Sequence, residues 1–286
     1  MFRAQLSLML HKKSFQFSFI LMLCIASFYP AYSYIKLLLM GHVTLKDDIM
    51  YVLSWIDTPY LFSYYNYLTG YLYYLIPIIV LFPFAISYIT EKKYNYASVC
   101  ASRCGKRSYL MVKAVCSMLG GFLIFFIPSC INVLWNFLIM PEAFQSYSND
   151  AYYLMHYQMN LQIDPHYISP LAIHGFRHPI FDSLLSCLSI SLFAAVCALI
   201  VYTISLLVKK FAYLASFPLI VILLVLQRVN AVTSVTRTWI GAVDPIAYVC
   251  SDSEDRWHFG FYLLLLAICT IVCLWIINNK SKKDLI

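Results

Sequence analysis

Histidine clusters, paired carboxylates and phosphate loops give a chain chemistry of its own, and each leaves a spacing that can be read. Four of the seven histidines, His156, His166, His174 and His178, fall in one stretch with Asp164 and Asp182 nearby. Imidazole and carboxylate are zinc ligands, so these four are the candidate metal ligands. His174 and His178 stand four apart, but Gly175 and Pro179 disfavour a helix there, and no strong zinc signature results. The bland reading, a polar external loop, accounts for the same residues. ATP hydrolysis would need Gly-x-x-x-x-Gly-Lys-Ser/Thr. Gly105-Lys106 is followed by Arg107, and Cys100 occupies the position five before Gly105. There is no His-Glu-x-x-His and no Gly-x-Ser-x-Gly. The expectation is therefore a chain that is not itself an enzyme and binds no cofactor directly.

The ten cysteines carry little chemistry once placed. Cys24, Cys116, Cys130, Cys187, Cys197, Cys269 and Cys273 lie in apolar stretches, where cysteine behaves as a small hydrophobe. Cys100 and Cys104 have a C-x-x-x-C spacing, which is not the usual redox motif. A disulfide framework is not expected.

The elements that must position these residues follow from composition. Of 286 residues, 62% are hydrophobic and only 12% are charged. An ordinary soluble domain carries about 25% charged residues. So little charge cannot cover a water-facing surface, which excludes a soluble enzyme, a disordered chain and a nucleic-acid-binding domain. What remains is an all-α, polytopic membrane protein. Its 24 tyrosines suit wide interfacial belts.

A membrane helix needs about 20 apolar residues. Six segments approach this: about 15–39, 71–89, 109–139, 183–208, 211–226 and 259–277. The loops between them test the topology, because cytoplasmic segments retain Lys and Arg. With the N-terminus inside, the inner segments hold 14 of the 20 basic residues and only Glu91 and Asp284 of the 13 acidic ones. Lys280, Lys282 and Lys283 then place the C-terminus inside too. The predicted arrangement is a single transmembrane domain over 1–286 in the cell membrane, N-in/C-in, with an external loop over 141–182. A signal peptide at the start is the competing reading, but 15–39 is longer than a usual signal core.

Two short elements sit at the inner surface. Phe2, Leu6, Met9 and Leu10 share one helical face, with Arg3, Ser7 and Lys12 elsewhere, which predicts an amphipathic helix over 2–12 on the inner leaflet. A frayed terminus is the alternative. Between the second and third spans, Asn95 can cap a short helix from about Tyr96 to Arg103, and Gly105 can end it. Tyr96, Val99 and Arg103 fall on one side of that helix. An ordinary basic loop would explain the lysines but not the helix.

This segment carries a resemblance. Glu91-Lys92 leaving the second span, Ser102-Arg103-Cys104-Gly105-Lys106, and Tyr109-Leu110-Met111-Val112-Lys113 opening the third resemble the permease subunits of type-2 ATP-binding-cassette exporters. The resemblance implies that the internal loop is a coupling helix seated in a separate cytoplasmic ATPase, which would hold the ATP and Mg. Glu91, Tyr96, Val99, Arg103 and Lys106 are then the coupling residues. It also implies a second permease subunit, identical or related, and contact with membrane lipids.

A further likeness precedes the last span. The segment 211–226 offers about 24 Å of helix, short of the ~30 Å core. After it, Val229 to Val249 is moderately apolar and is interrupted by Gly241 and Pro245. Such a stretch can re-enter the membrane only where protein shields its backbone. Members of the family carry re-entrant helices here, with an Asn-Pro-x-x-Tyr-like turn, and this chain has Asp244-Pro245-Ile246-Ala247-Tyr248. Arg228, Arg237, Asp244, Pro245 and Tyr248 are the residues that the likeness assigns to an outer gate. A plain external loop is the alternative. The large loop 141–182 and the low glycine count depart from the family pattern.

The expected function is export of a hydrophobic or amphipathic substrate, such as a peptide, drug or lipid, driven by a separate ATPase. Two other classes stay open. One is a non-transporting immunity or sensor subunit that binds an extracellular peptide. The other is a membrane enzyme using the external histidines.

Overall fold

The computed structural model describes residues 1–39, 74–82, 87–139, 179–208, 216–233 and 259–283. All regular structure among them is helical, in accord with the expected class. The helices are α1 (Phe2–Leu10), α2 (Lys13–Leu39), α3 (Ser87–Lys93), α4 (Tyr96–Cys104), α5 (Lys106–Ile139), α6 (Pro179–Leu207), α7 (Phe217–Thr233) and α8 (Phe259–Lys283). A helical segment over 74–82 precedes α3.

Among the described residues, three helices are long and apolar enough to cross a membrane: Lys106–Trp135, Cys187–Leu207 and Tyr262–Lys282. A fourth is reached if α1 and α2 count as one span bent by 58° between Leu10 and Lys13. Of the six expected segments, three or four meet this criterion among the described residues. The second, 71–89, is described as two shorter helical pieces, over 74–82 and Ser87–Lys93. The fifth is described over Phe217–Thr233 and runs further than expected, so Arg228 lies inside a helix. Its apolar part, Phe217–Leu226, is short, as its sequence implied.

The centre of the bundle is the α5–α6 pair, with α2 against α5 and α8 against both. Small residues bring α5 and α6 together. A Cβ built on Gly121 would lie 2.8 Å from the Ala194 carbonyl oxygen and 2.9 Å from the Ala198 Cβ, so glycine is required there. Close backbone approach at Gly and Ala is how helices associate in lipid, where apolar side chains gain little by leaving the solvent. Buried polar groups then add cross-links. Ser117 donates to the Ala198 carbonyl at 3.3 Å and Tyr202 to that of Leu110 at 3.3 Å. Asn132 Nδ2 donates to Ala26 O of α2 at 2.6 Å, and the Tyr262 hydroxyl of α8 to Ser189 O of α6 at 2.8 Å.

These pairings fix helix direction. Gly121 meets Ala194 while Leu110 meets Tyr202, so α5 and α6 are antiparallel. Met9 against Gly120 and Ala26 against Asn132 make the α1–α2 arm run with α5. Tyr262 lies beside Ser189 and Cys273 beside Thr203, so α8 runs with α6.

Candidate functional site

The chemistry-bearing groups among the described residues gather where α1, α3, α4 and the start of α5 meet. Periodicity forms α4. Ala97 and Ala101, four apart, are its buried side, while Tyr96, Val99 and Arg103 are exposed on the other, as their spacing requires. Gly105 ends the helix at φ +80°, a conformation that glycine adopts without strain. Asn95 departs from expectation. It sits at the N-cap position, but its backbone is left-handed at φ 57° and its side chain makes no cap bond. The Ser98 hydroxyl instead donates to the Asn95 carbonyl at 2.6 Å. Asparagine tolerates this region better than other non-glycine residues, so it serves here by its backbone.

Beneath α4 lies a charged pin. Tyr109 and Lys113 stand four apart on α5 and share a face. The Tyr109 hydroxyl donates to Glu91 Oε2, and Lys113 Nζ lies 2.5 Å from the same oxygen. Lys113 also reaches the Tyr109 hydroxyl at 3.4 Å. The Lys113 side chain is 0% exposed and that of Glu91 12%. A buried ammonium is tolerated only with a partner, and Glu91 supplies it. Lys12, at the bend between α1 and α2, feels the same carboxylate. Burial lowers its pKa from the ordinary lysine value, and the Glu91 charge opposes that shift. Glu91 therefore ties α3 to α5 and influences the N-terminal arm.

The five coupling candidates separate by exposure. Glu91 is turned inward and positions its neighbours. Tyr96, Val99 and Arg103 face outward, and Lys106 is half-buried at the start of α5. Tyr96 is hydrogen-bonded with Cys100, which raises its pKa above the usual phenol value. Tyr109 and Lys113, the partners of Glu91, stand outside the coupling residues that the sequence suggests; their four-residue spacing on one helix is a signal that could have found them.

The N-terminal helix also differs from its expected face. Gln5 and Met9 are the buried residues of α1, whereas Phe2 and Leu10 are exposed. The arm docks through Met9, whose Sδ lies 2.9 Å from where a Gly120 Cβ would be. Met1 reaches Ser108 at 4.0 Å. The sequence pattern identified the helix, but tertiary packing against α5 selected its inner side. The exposed apolar face is the one available to lipid.

Of the outer-gate candidates, Arg228 lies in α7, while Arg237, Asp244, Pro245 and Tyr248 lie outside the described residues. So do His156, His166, His174 and His178. No group of three or more metal-ligating side chains occurs among the described residues. Set against protein-family models, curated proteins and solved structures, the chain matches none of them.

Proposed function

We propose that this chain is the membrane-spanning permease subunit of an ATP-driven exporter of the type-2 ATP-binding-cassette kind. In this reading it crosses the cytoplasmic membrane six times, N-in/C-in. It works beside a second permease and hydrolyses no ATP. ATP and Mg belong to a separate ATPase that grips α4. The substrate is hydrophobic or amphipathic, a peptide, drug or lipid, in keeping with apolar helices. Arg228, Arg237, Asp244, Pro245 and Tyr248 stay the proposed outer gate.

The observation that carries the reading is the construction of α4. A nine-residue helix presents Tyr96, Val99 and Arg103 while Ala97 and Ala101 seat it, and Glu91 pins its base to α5. A force applied to α4 reaches a long helix through a short, buried connection. Helix direction supports the span count. If the parallel helices α2 and α5 both cross, the chain must recross between them, and 71–89 is the apolar stretch available. The same holds for α6 and α8, with Phe217–Leu226 between them.

The test is the full chain in lipid nanodiscs with the ATP-binding-cassette ATPase that co-purifies with it. The chain should bind that ATPase and stimulate hydrolysis. Arg103→Glu should abolish stimulation without changing the melting of the chain. Equal stimulation by wild type and variant would count against the coupling role.

A further inference from the structure

We propose that the cleft between α1 and the α3–α4 element is a socket for one apolar side chain of the partner ATPase, with acidic residues of that partner flanking it. The proposal rests on the permease reading and specifies what the ATPase must bring. The cleft holds about 250 Å³ and is lined by Leu8, Thr90, Glu91, Tyr94 and Tyr96. An aliphatic side chain and two phenol rings form its walls, and the volume suits a single large apolar group. Tyr94 is 73% exposed and Tyr96 43%, so both rings stand open at the surface beside the cleft. Large aromatic rings beside a pocket, with polar groups at its edge, are how a few residues come to carry an interface.

Charge fixes the sign of the surroundings. Glu91 and Asp182 are the only acidic residues within the described segments. Glu91 is already engaged by Tyr109 and Lys113. Asp182 stands in the first turn of α6, at the far end of the antiparallel α5–α6 pair. On the elements that form the cleft, Lys92 of α3 and Arg103 of α4 are exposed, with Arg107 beyond Gly105. A complementary surface must therefore be acidic around its apolar anchor. An anionic bilayer shares the charge but presents no single protruding group to a concave site of this size, which favours a protein.

The full chain in nanodiscs of phosphatidylcholine, a lipid without net charge, is titrated with the co-purifying ATPase at low and high salt. Thr90→Trp fills the socket at an exposed position and changes no charge. It should weaken ATPase binding about tenfold or more. Tyr94→Ala, at a site too exposed to decide folding, should also weaken it. Wild-type binding should fall as salt rises, and Arg103→Glu should flatten that dependence. Wild-type affinity retained in Thr90→Trp and Tyr94→Ala would overturn the socket and leave the permease reading standing. A wild-type chain that does not bind the ATPase would overturn both. Vesicles of phosphatidylglycerol give the remaining arm. If the two variants lose vesicle binding but keep ATPase binding, the cleft belongs to the membrane and the proposal fails.

Discussion

Two joints hold α5 to its neighbours by different physics. In the middle of the bundle, Gly121 lets α5 approach the Ala194 and Ala198 ridge of α6 until no further atom fits. At the N-terminal end of α5, Glu91, Tyr109 and Lys113 tie α3 to α5 by charge and hydrogen bonds. Contact distances fix the first joint, with one hydrogen bond, from Ser117 to the Ala198 carbonyl, beside it. The second is directional and ends one short turn from an exposed helix. The first suits a fixed axis, and the second suits a lever that passes movement from α4 to the bundle. The same contrast separates helices of similar apolarity. In the apolar stretch of α6 72% of the residues are buried and in that of α8 22%, at mean hydropathies of 2.5 and 2.1. Hydropathy places both helices in a membrane, and small residues decide which one lies at the centre.

The largest effect should come from half of the charged joint. Lys113→Ala leaves a buried carboxylate without its counter-ion and should cost about 3–5 kcal/mol, read from denaturant unfolding in detergent. Replacing Glu91 and Lys113 together with apolar residues should cost much less than the sum of the single changes. An additive double variant would show that the two do not act as a pair. Next is the packed joint. Gly121→Leu should cost about 1–3 kcal/mol or more, because it presses on a carbonyl oxygen of α6. Gly121→Ala should show a smaller loss in the same direction. A neutral Gly121→Leu would contradict the close approach. Tyr262→Phe removes one buried hydrogen bond to Ser189 and should cost about 1 kcal/mol. Val99→Ser, on the exposed face of α4, should change stability by no more than about 0.5 kcal/mol and still lower ATPase stimulation. If stability and stimulation fell together there, the face would be structural.

Much of this was legible in the sequence, for reasons that differ by element. Apolar stretches of 20 residues or more mark Lys106–Trp135, Cys187–Leu207 and Tyr262–Lys282 directly, because spanning hydrocarbon demands them. The two faces of α4 followed from helical spacing, and its end from Gly105. The inner side of α1 did not, because Gln5 is buried by packing on α5, which periodicity does not record. Nor did the left-handed Asn95, since the residue type fits both a side-chain cap and a backbone turn. The candidate site was half legible. Glu91 stood out as an acid among bases, but its pairing with Lys113 crosses 22 positions and depends on the fold. The histidine loop and most of the outer-gate residues lie outside the described residues.

The central claim is that the exposed face of α4 is what the ATPase holds. Site-specific photo-crosslinking tests it most directly. A photoreactive residue replaces Val99 in one variant of the full chain and Leu264, exposed on α8, in another. Each is mixed with the ATPase in nanodiscs and illuminated. The account predicts a crosslink to the ATPase from position 99 and none from position 264. ATPase that binds the chain yet crosslinks from neither position, or only from position 264, would contradict it.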